Sequence, residues 1–242
     1  FLQFKKLPIS MKDTFFCLFI IGISALTVVI QPDLGTSLLV ALSGLFVLFL
    51  AGLSWSFIGV TCGLLIIASP FIWNNLLRPF QKERILTLFN PESDPFGSGW
   101  NIIQSRIAIG SGGISGKGYG EGSQTHFNFL PETETDFIFA VVAEEFGFIG
   151  VLIILSLFLI LSLRTLYFAL NARDRFCRLV VGGLLLTFLF NLLVNISMVI
   201  GLIPVVGMPL PFLSKGGSSM ITLFILFGII MSIGTHKTLM QR

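Results

Sequence analysis

Charge is what this sequence has least of. Asp, Glu, Lys and Arg make up 11% of its 242 residues, against 54% hydrophobic residues, and the mean hydropathy is +0.94. A soluble domain carries about 25% charged residues, so this scarcity excludes a water-soluble globule and leaves a membrane protein. Cysteine is scarce too. Cys17, Cys62 and Cys177 are scattered in or beside apolar runs, where they make neither a disulfide framework nor a metal set and leave the redox compartment unread. His126 and His236 have no partner at ligand spacing, which removes a His-based metal site. No nucleophile elbow or Ser–His–Asp pattern is present, and a net charge of +3 is too small to point to nucleic acid. Phe1 is not an initiator Met, and no signal-peptide pattern follows it. A short basic segment, 1–12, leads into an apolar run, and the expectation is that further spans precede Phe1.

Long apolar runs are abundant. A spanning helix needs about 20 mostly apolar residues. Six stretches qualify or nearly qualify: 14–30, 34–53, 55–77 (with Pro70 near its end), 137–163, 179–202 and 219–233, the last being the shortest. Backbone groups in lipid must be paired within the segment, so these are helices. The expected fold class is an all-α polytopic membrane protein with six transmembrane helices: three in 1–77, a long extracytoplasmic loop at 78–136, and three in 137–242 before a cytoplasmic C-terminus. Lys5, Lys6 and Lys12 precede the first span. Arg164, Arg173, Arg175 and Arg178 lie between the fourth and fifth, and Lys237 and Arg242 follow the sixth. Six alternating spans put all three groups on one side, which the positive-inside rule makes the cytoplasm. The 31–35 turn, the 78–136 loop and the 203–218 segment then share the outer side.

The 78–136 stretch is the long polar segment of the chain, holding seven of the twelve acidic residues and five cations, Arg78, Lys82, Arg84, Arg106 and Lys117. NPESDPFGSGW reads as successive turns. WNIIQSRIAI, 100–109, reads as a short amphipathic helix in the membrane interface, with Trp100 as an anchor and Ile102, Ile103 and Ile107 apolar. Nine glycines lie between Gly97 and Gly122. They suit a flexible linker, or a cradle of exposed N–H groups for an anion, and they match neither the Walker spacing nor the dinucleotide fingerprint. Asp136 stands at the mouth of the fourth span, either as its N-cap or, with Thr135 capping, in the first turn with its carboxylate free. Glu144 and Glu145 lie deeper, where a charge is by default functional or paired. At 100° per residue Glu144 is about 80° from Asp136 and Glu145 about 180°. Glu144 is therefore the cavity candidate, and Glu145 is expected to pair with a neighbouring helix. Asp33, after Pro32, either caps the second helix or serves chemistry on the face of the long loop. Asn191 and Asn195, one turn apart, are expected to hydrogen-bond across a helix interface. After Pro204, Pro209 and Pro211, Lys215 in SKGGSS either meets an anionic head group or is solvated.

QPDLGTS at 31–37, NPESDPFGSGWNIIQSRIAIGSGGISGKG at 90–118, FLPETETDFIFAVVAEEFG at 129–147 and PVVGMPLPFLSKGGSS at 204–219 together resemble the SEDS family (shape, elongation, division and sporulation) of bacteria. The resemblance covers essentially the whole chain, and its wording is closest to the elongation branch. It implies ten spanning helices with both ends cytoplasmic, of which this chain would hold the last six, and a location in the bacterial cytoplasmic (inner) membrane with the site facing outside. It implies a glycosyltransferase that polymerises lipid II into glycan strands beside a class B penicillin-binding protein, the transpeptidase, and other membrane proteins of the elongation complex. The family's essential Asp falls on Asp136, expected as general base. Lys117, Asp33, Arg106, Glu144, Lys215, Ser214 and Ser218 are the expected substrate-binding residues, with Lys117, Arg106 or a bound Mg²⁺ or Mn²⁺ meeting the departing pyrophosphate. Two positions depart from the family pattern. Glu134 stands where His is common, and its charge would raise the pKa of Asp136. Lys215 stands where Tyr is usual. Two other functions fit the same residues, a lipid II flippase and a non-catalytic scaffold of the elongation machinery.

Overall fold

The computed structural model describes residues 2, 9–31, 33–94, 97–126, 133–172 and 174–239. Among them there are helices and turns and no strands. The order is α1 (Met11–Val29), α2 (Leu34–Leu50), α3 (Trp55–Phe71), α4 (Pro79–Phe89), α5 (Ser98–Ser111), α6 (Ser123–His126), α7 (Ile138–Leu170), α8 (Arg175–Val199) and α9 (Gly217–Leu239). The protein is an all-helical, multi-pass membrane protein. Five of these helices are long and apolar enough to cross a bilayer, and they carry large exposed side chains such as Phe19, Ile66, Ile67 and Leu170. In a water-soluble protein such a surface would aggregate, whereas a bilayer or a neighbouring apolar helix accepts it.

The ends of the helices follow local chemistry. Ser10, Asp33 and Ser54 cap α1, α2 and α3 through their side-chain oxygens, each worth about 1 kcal/mol. The second expected span stops early. Gly52, at φ 88°, ends α2, and the amides of Gly52 and Leu53 turn back to the carbonyls of Phe49 and Leu48, a Schellman closure. The resulting 17 residues reach about 25 Å at 1.5 Å per residue. Pro70 lies in the last turn of α3, and a π-helical turn, Ile72–Leu76, follows, the adjustment expected where a proline removes an N–H. The last span is longer than expected, 23 residues in α9, because its polar tail contains no proline to stop the helix.

The chain divides into two compact units: Phe1–Leu77 with Ser162–Phe190 and Phe224–Arg242, and Arg78–Leu161 with Asn191–Leu223. In the first, Ala169, Val181 and Ile230 form a buried cluster covered by Phe168, Leu184 and Phe227. Small residues set the helix spacing there. A Cβ on Gly182 would stand 2.7 Å from Leu50 Cδ1, and one on Gly183 would stand 2.6 Å from Val47 Cγ2, so this glycine pair lets α2 and α8 approach closely. The second unit contains the polar stretch. It is helical over α4 and α5, and α5 turns Ile102, Ser105 and Ala108 fully inward while Ile107 lies on the outside. A helix thus forms over the stretch 100–109 where one was expected, within Ser98–Ser111, and its buried face packs on protein.

Candidate functional site

The site begins with a break in α7. Gly147 has φ 64° and ψ −162° inside the helix, which leaves neighbouring carbonyl and amide groups without helical partners. Residues 112–118 fill the gap. Lys117 N donates to Glu144 O and Gly118 N to Glu145 O, both at 3.0 Å; Phe148 N donates to Gly113 O at 2.9 Å and Ile149 N to Ile114 O at 3.1 Å. These four bonds replace those the break removes, which a membrane-embedded backbone requires. The close fit explains the glycines. A Cβ on Gly147 would overlap Gly116 N and Ile114 O, and one on Gly116 would overlap Glu145 O. The glycine run is therefore a wedge seated in a split helix. Four of its groups that a linker or an anion cradle would leave open are bonded to α7.

Beneath the wedge lies a buried ion pair. Glu144 is fully buried, and its Oε1 accepts from Lys117 Nζ at 2.6 Å, Ser123 Oγ at 3.1 Å, Gln124 N at 3.1 Å and Ser111 Oγ at 3.5 Å. Lys117 Nζ also donates to Ser123 Oγ at 2.7 Å, so two of its three donors are engaged. Glu144, expected to line a cavity, is instead enclosed by its own donors. Removing one member of such a pair costs far more than the pair itself contributes, because the other charge is left in a poorly solvated place.

At the N-terminal mouth of α7, residues 134–136 are laced to the segment after α8. Ser214 Oγ donates to Thr135 O at 2.5 Å and accepts from Leu210 N at 2.6 Å. Lys215 N donates to Glu134 O at 2.7 Å, and the Lys215 ammonium pairs with the Glu134 carboxylate. Asn195 Nδ2 bridges Asp136 O at 3.0 Å and Met208 O at 2.6 Å. The Asp136 carboxylate is half-buried beside Gly207, where a Cβ would stand 3.5 Å from Oδ2. Phe212 adopts φ 64°, a left-handed conformation costing about 1–3 kcal/mol for a bulky residue, found where the surroundings over-determine the backbone.

Two loop arginines hold the same returning segment. Arg84 Nη1 donates to Val205 O at 3.2 Å. Arg106 donates from Nε to Ile200 O at 3.2 Å and from Nη2 to Gly201 O at 2.9 Å. Gly201, at φ 74°, closes α8 with a Schellman turn, and a Cβ there would stand 2.5 Å from Arg106 Nη2. Glycine is thus required twice at this position. The fixed cation meets the C-terminal end of α8, where its charge is favourable.

Of the residues expected to act together, the structure brings Asp136, Ser214 and Lys215 to one mouth. Lys117 and Glu144 pair below the wedge, and Arg106 caps α8. Ser218 is exposed in the first turn of α9, its carbonyl accepting from Thr222. Asp33 lies in the other unit as the N-cap of α2, bonded to Thr36 N at 3.0 Å and Thr36 Oγ1 at 2.6 Å. Glu145 is half-buried, with its carbonyl on Gly118 N. Asn195 bonds to loop carbonyls rather than across a helix pair, as a carbonyl-rich return loop offers more acceptors than an apolar helix face. Sequence reasoning gave no role to Arg84, and no spacing signal links it to Val205. His126 lies at the end of α6, with 127–132 outside the described residues.

The fold is that of a multi-pass helical membrane protein in which one long helix is broken at Gly147 and two acidic residues, Glu134 and Asp136, are tied at its mouth. The chain matches the FtsW/RodA/SpoVE family, described as cell cycle proteins, over residues 3–239, and it belongs to that family. It is 52% identical over 235 residues, 97% of its length, to the peptidoglycan glycosyltransferase MrdB of Escherichia coli K12, and it covers 64% of that relative. It is 46% identical over 162 residues, 67% of its length, to the peptidoglycan glycosyltransferase RodA of Treponema pallidum, covering 37% of that chain. Among solved structures it is similar to a chain of a peptidoglycan synthase complex (TM-score 0.80, 29% identity, 97% of this chain and 65% of that one). It is also similar to an aspartate-to-alanine mutant of Thermus thermophilus RodA (TM-score 0.60, 26% identity, 95% and 59%). The chain therefore spans about two thirds or less of the length of these relatives.

Proposed function

We propose that this chain forms part of a peptidoglycan glycosyltransferase of the elongation branch, which polymerises lipid II at the outer face of the bacterial cytoplasmic membrane. The observation that carries this reading is the placement of Asp136, a carboxylate at the mouth of an apolar helix whose main chain is tied at 134, 135 and 136 to one returning segment. The names of the similar proteins support it.

In the reaction, the 4-hydroxyl of one lipid-linked sugar attacks the anomeric carbon of another. A C–O bond to the diphosphate breaks, a β-1,4 glycosidic bond forms with inversion, and polyprenyl diphosphate leaves. Asp136 takes the hydroxyl proton. A carboxylate in this role needs fixed geometry more than an extreme pKa, and the lacing of 134–136 supplies it. The diphosphate needs positive charge. Lys117 and Arg106 already hold partners within the protein. Lys215 and its partner Glu134 are mostly exposed, so this ammonium can exchange a carboxylate for a phosphate at little cost. Among the described residues no group of three His, Cys, Asp or Glu side chains could cage a metal ion. If a Mg²⁺ or Mn²⁺ ion takes part, Asp136 is the carboxylate at this mouth that would help to hold it, and the ion would supply positive charge to the leaving group. The partners proposed are a class B penicillin-binding protein that cross-links the nascent strand and other membrane proteins of the elongation complex.

The test is polymer formation from lipid II by the full-length protein reconstituted with its transpeptidase. Asp136→Ala is expected to lower the rate at least about a hundredfold while leaving thermal unfolding within about 2 °C of the parent. Normal polymer from that variant overturns the assignment of Asp136. Movement of labelled lipid II across liposomes without polymer from the parent protein indicates a flippase instead.

A further inference from the structure

Asn195 is a fully buried polar residue on a mostly apolar helix. Its amide group spans two separate backbone carbonyls, Asp136 O and Met208 O. Both neighbours are acceptors, so only the NH₂ end can face them, which fixes the orientation of the amide. The other end, Oδ1, is buried with no hydrogen-bond partner among the described residues. A buried acceptor left without a partner is unfavourable. The side chain thus tolerates an unsatisfied oxygen in order to place two donors at one point between α7 and the return loop.

We infer that Asn195 is a positioning residue that holds Asp136 in its working orientation by tying the Asp136 and Met208 main chains together. The inference rests on the reading of Asp136 as the base. Met208 follows Gly207, and Gly207 lies against the Asp136 carboxylate. One amide therefore sets both the peptide that carries the carboxylate and the loop wall the carboxylate faces. Asn195 touches main chain on both sides, so it acts through Asp136 rather than on substrate. Its loss should lower kcat and leave KM unchanged.

The experiment compares the full-length protein with its Asn195→Leu, Asn195→Asp and Asp136→Asn variants. It measures kcat and KM for lipid II, the pH profile of kcat and thermal unfolding in detergent. Asn195→Leu removes both donors and is expected to reduce kcat about 10- to 100-fold, with KM within twofold. Asn195→Asp keeps the shape and, while protonated, one donor. Its kcat, measured well below the unfolding temperature, should fall progressively as pH rises relative to the parent, and the unfolding temperature should decline over the same range, because a carboxyl buried against two carbonyls resists ionisation only in the folded protein. Among the described residues, the charged groups at this mouth and on its return segment, Asp136, Glu134, Lys215 and Arg84, are present in parent and variant alike, so the ratio of the two profiles isolates the new carboxyl. If Asn195→Leu does not fold, Asn195→Asp decides alone. Parental kcat with a parental pH profile in Asn195→Asp, or a loss confined to KM, overturns the inference. Activity in Asp136→Asn overturns the underlying reading; an inactive Asp136→Asn with fully active Asn195 variants overturns only the positioning role.

Discussion

Two lysine–glutamate pairs sit in the same unit and differ in almost every other respect. Lys117–Glu144 is sealed under the glycine wedge, with side-chain exposures of 29% and 0%. Lys215–Glu134 lies at the mouth of α7, with exposures of 76% and 66%. The first gathers further donors from Ser111, Ser123 and Gln124 and joins three segments. The second is screened by water. The same two residue types are thus a structural joint in one place and an exchangeable contact in the other, and solvent decides which. The residues that sequence alone would send to substrate, Lys117 and Glu144, are the joint.

The comparison breaks most readily at the wedge. Gly147→Ala would place a methyl group into Gly116 N and Ile114 O at a backbone angle of φ 64° that side chains avoid. The expected loss is at least about 3 kcal/mol, seen as failure to accumulate folded protein or a collapse of the unfolding temperature. Gly22→Ala in α1, where a Cβ meets nothing within 4 Å, is the matched control and should be neutral or slightly stabilising. A parental unfolding curve for Gly147→Ala would mean the helix is not split there.

The buried pair gives the next largest effect. Glu144→Ala leaves Lys117 half-buried without its counter-charge and should cost about 3 kcal/mol. Adding Lys117→Met to that variant should recover part of the loss, since it removes the orphaned charge. The coupling read from this double-mutant cycle sharpens the contrast with the exposed pair. Additive losses would show that the two groups do not interact in the folded protein.

Much of this architecture was legible in the sequence, and the legible part follows from long-range composition. Runs of apolar residues located the apolar helices, although the fourth runs on from the expected 163 to Leu170 and the second is too short to join the five that can cross a bilayer, and the density of charge in 78–136 marked the polar stretch between them. Two kinds of information were not legible. A glycine's φ depends on what packs beside it, so neither the split at Gly147 nor the early end of α2 at Gly52 could be read from a window in which glycine is tolerated in helices. Pairing across sequence distance was equally hidden. Asn195 was visible as a polar intrusion in α8, but its partners at Asp136 and Met208 come together only when the loops fold. The angular argument separated Glu144 from Glu145 correctly as different faces, yet could not tell an open cavity from an enclosed socket.

The smallest effect belongs to the exposed pair, and it is read by titration rather than by stability. The hydrogen bond that the Lys215 ammonium donates to Glu134, with that carboxylate's charge, holds its pKa above the ordinary lysine value. The sign follows from linkage. A cation whose pKa is higher in the folded state contributes fully below the unfolded-state value of about 10.4, and that contribution is lost as pH rises through the folded value. That contribution is present at neutral pH but small for a solvent-screened pair, so Glu134→Gln should lower the unfolding temperature only slightly there and bring the Lys215 titration down toward the ordinary range. An amine-selective reagent applied between about pH 9 and 10.5 should then modify Lys215 faster in the variant than in the parent. Addition of a soluble diphosphate to the parent should slow the modification if the ammonium exchanges Glu134 for phosphate. Equal rates in parent and variant would show that the contact is not kept in solution, and the contrast between the two pairs would then be between a joint and no contact at all.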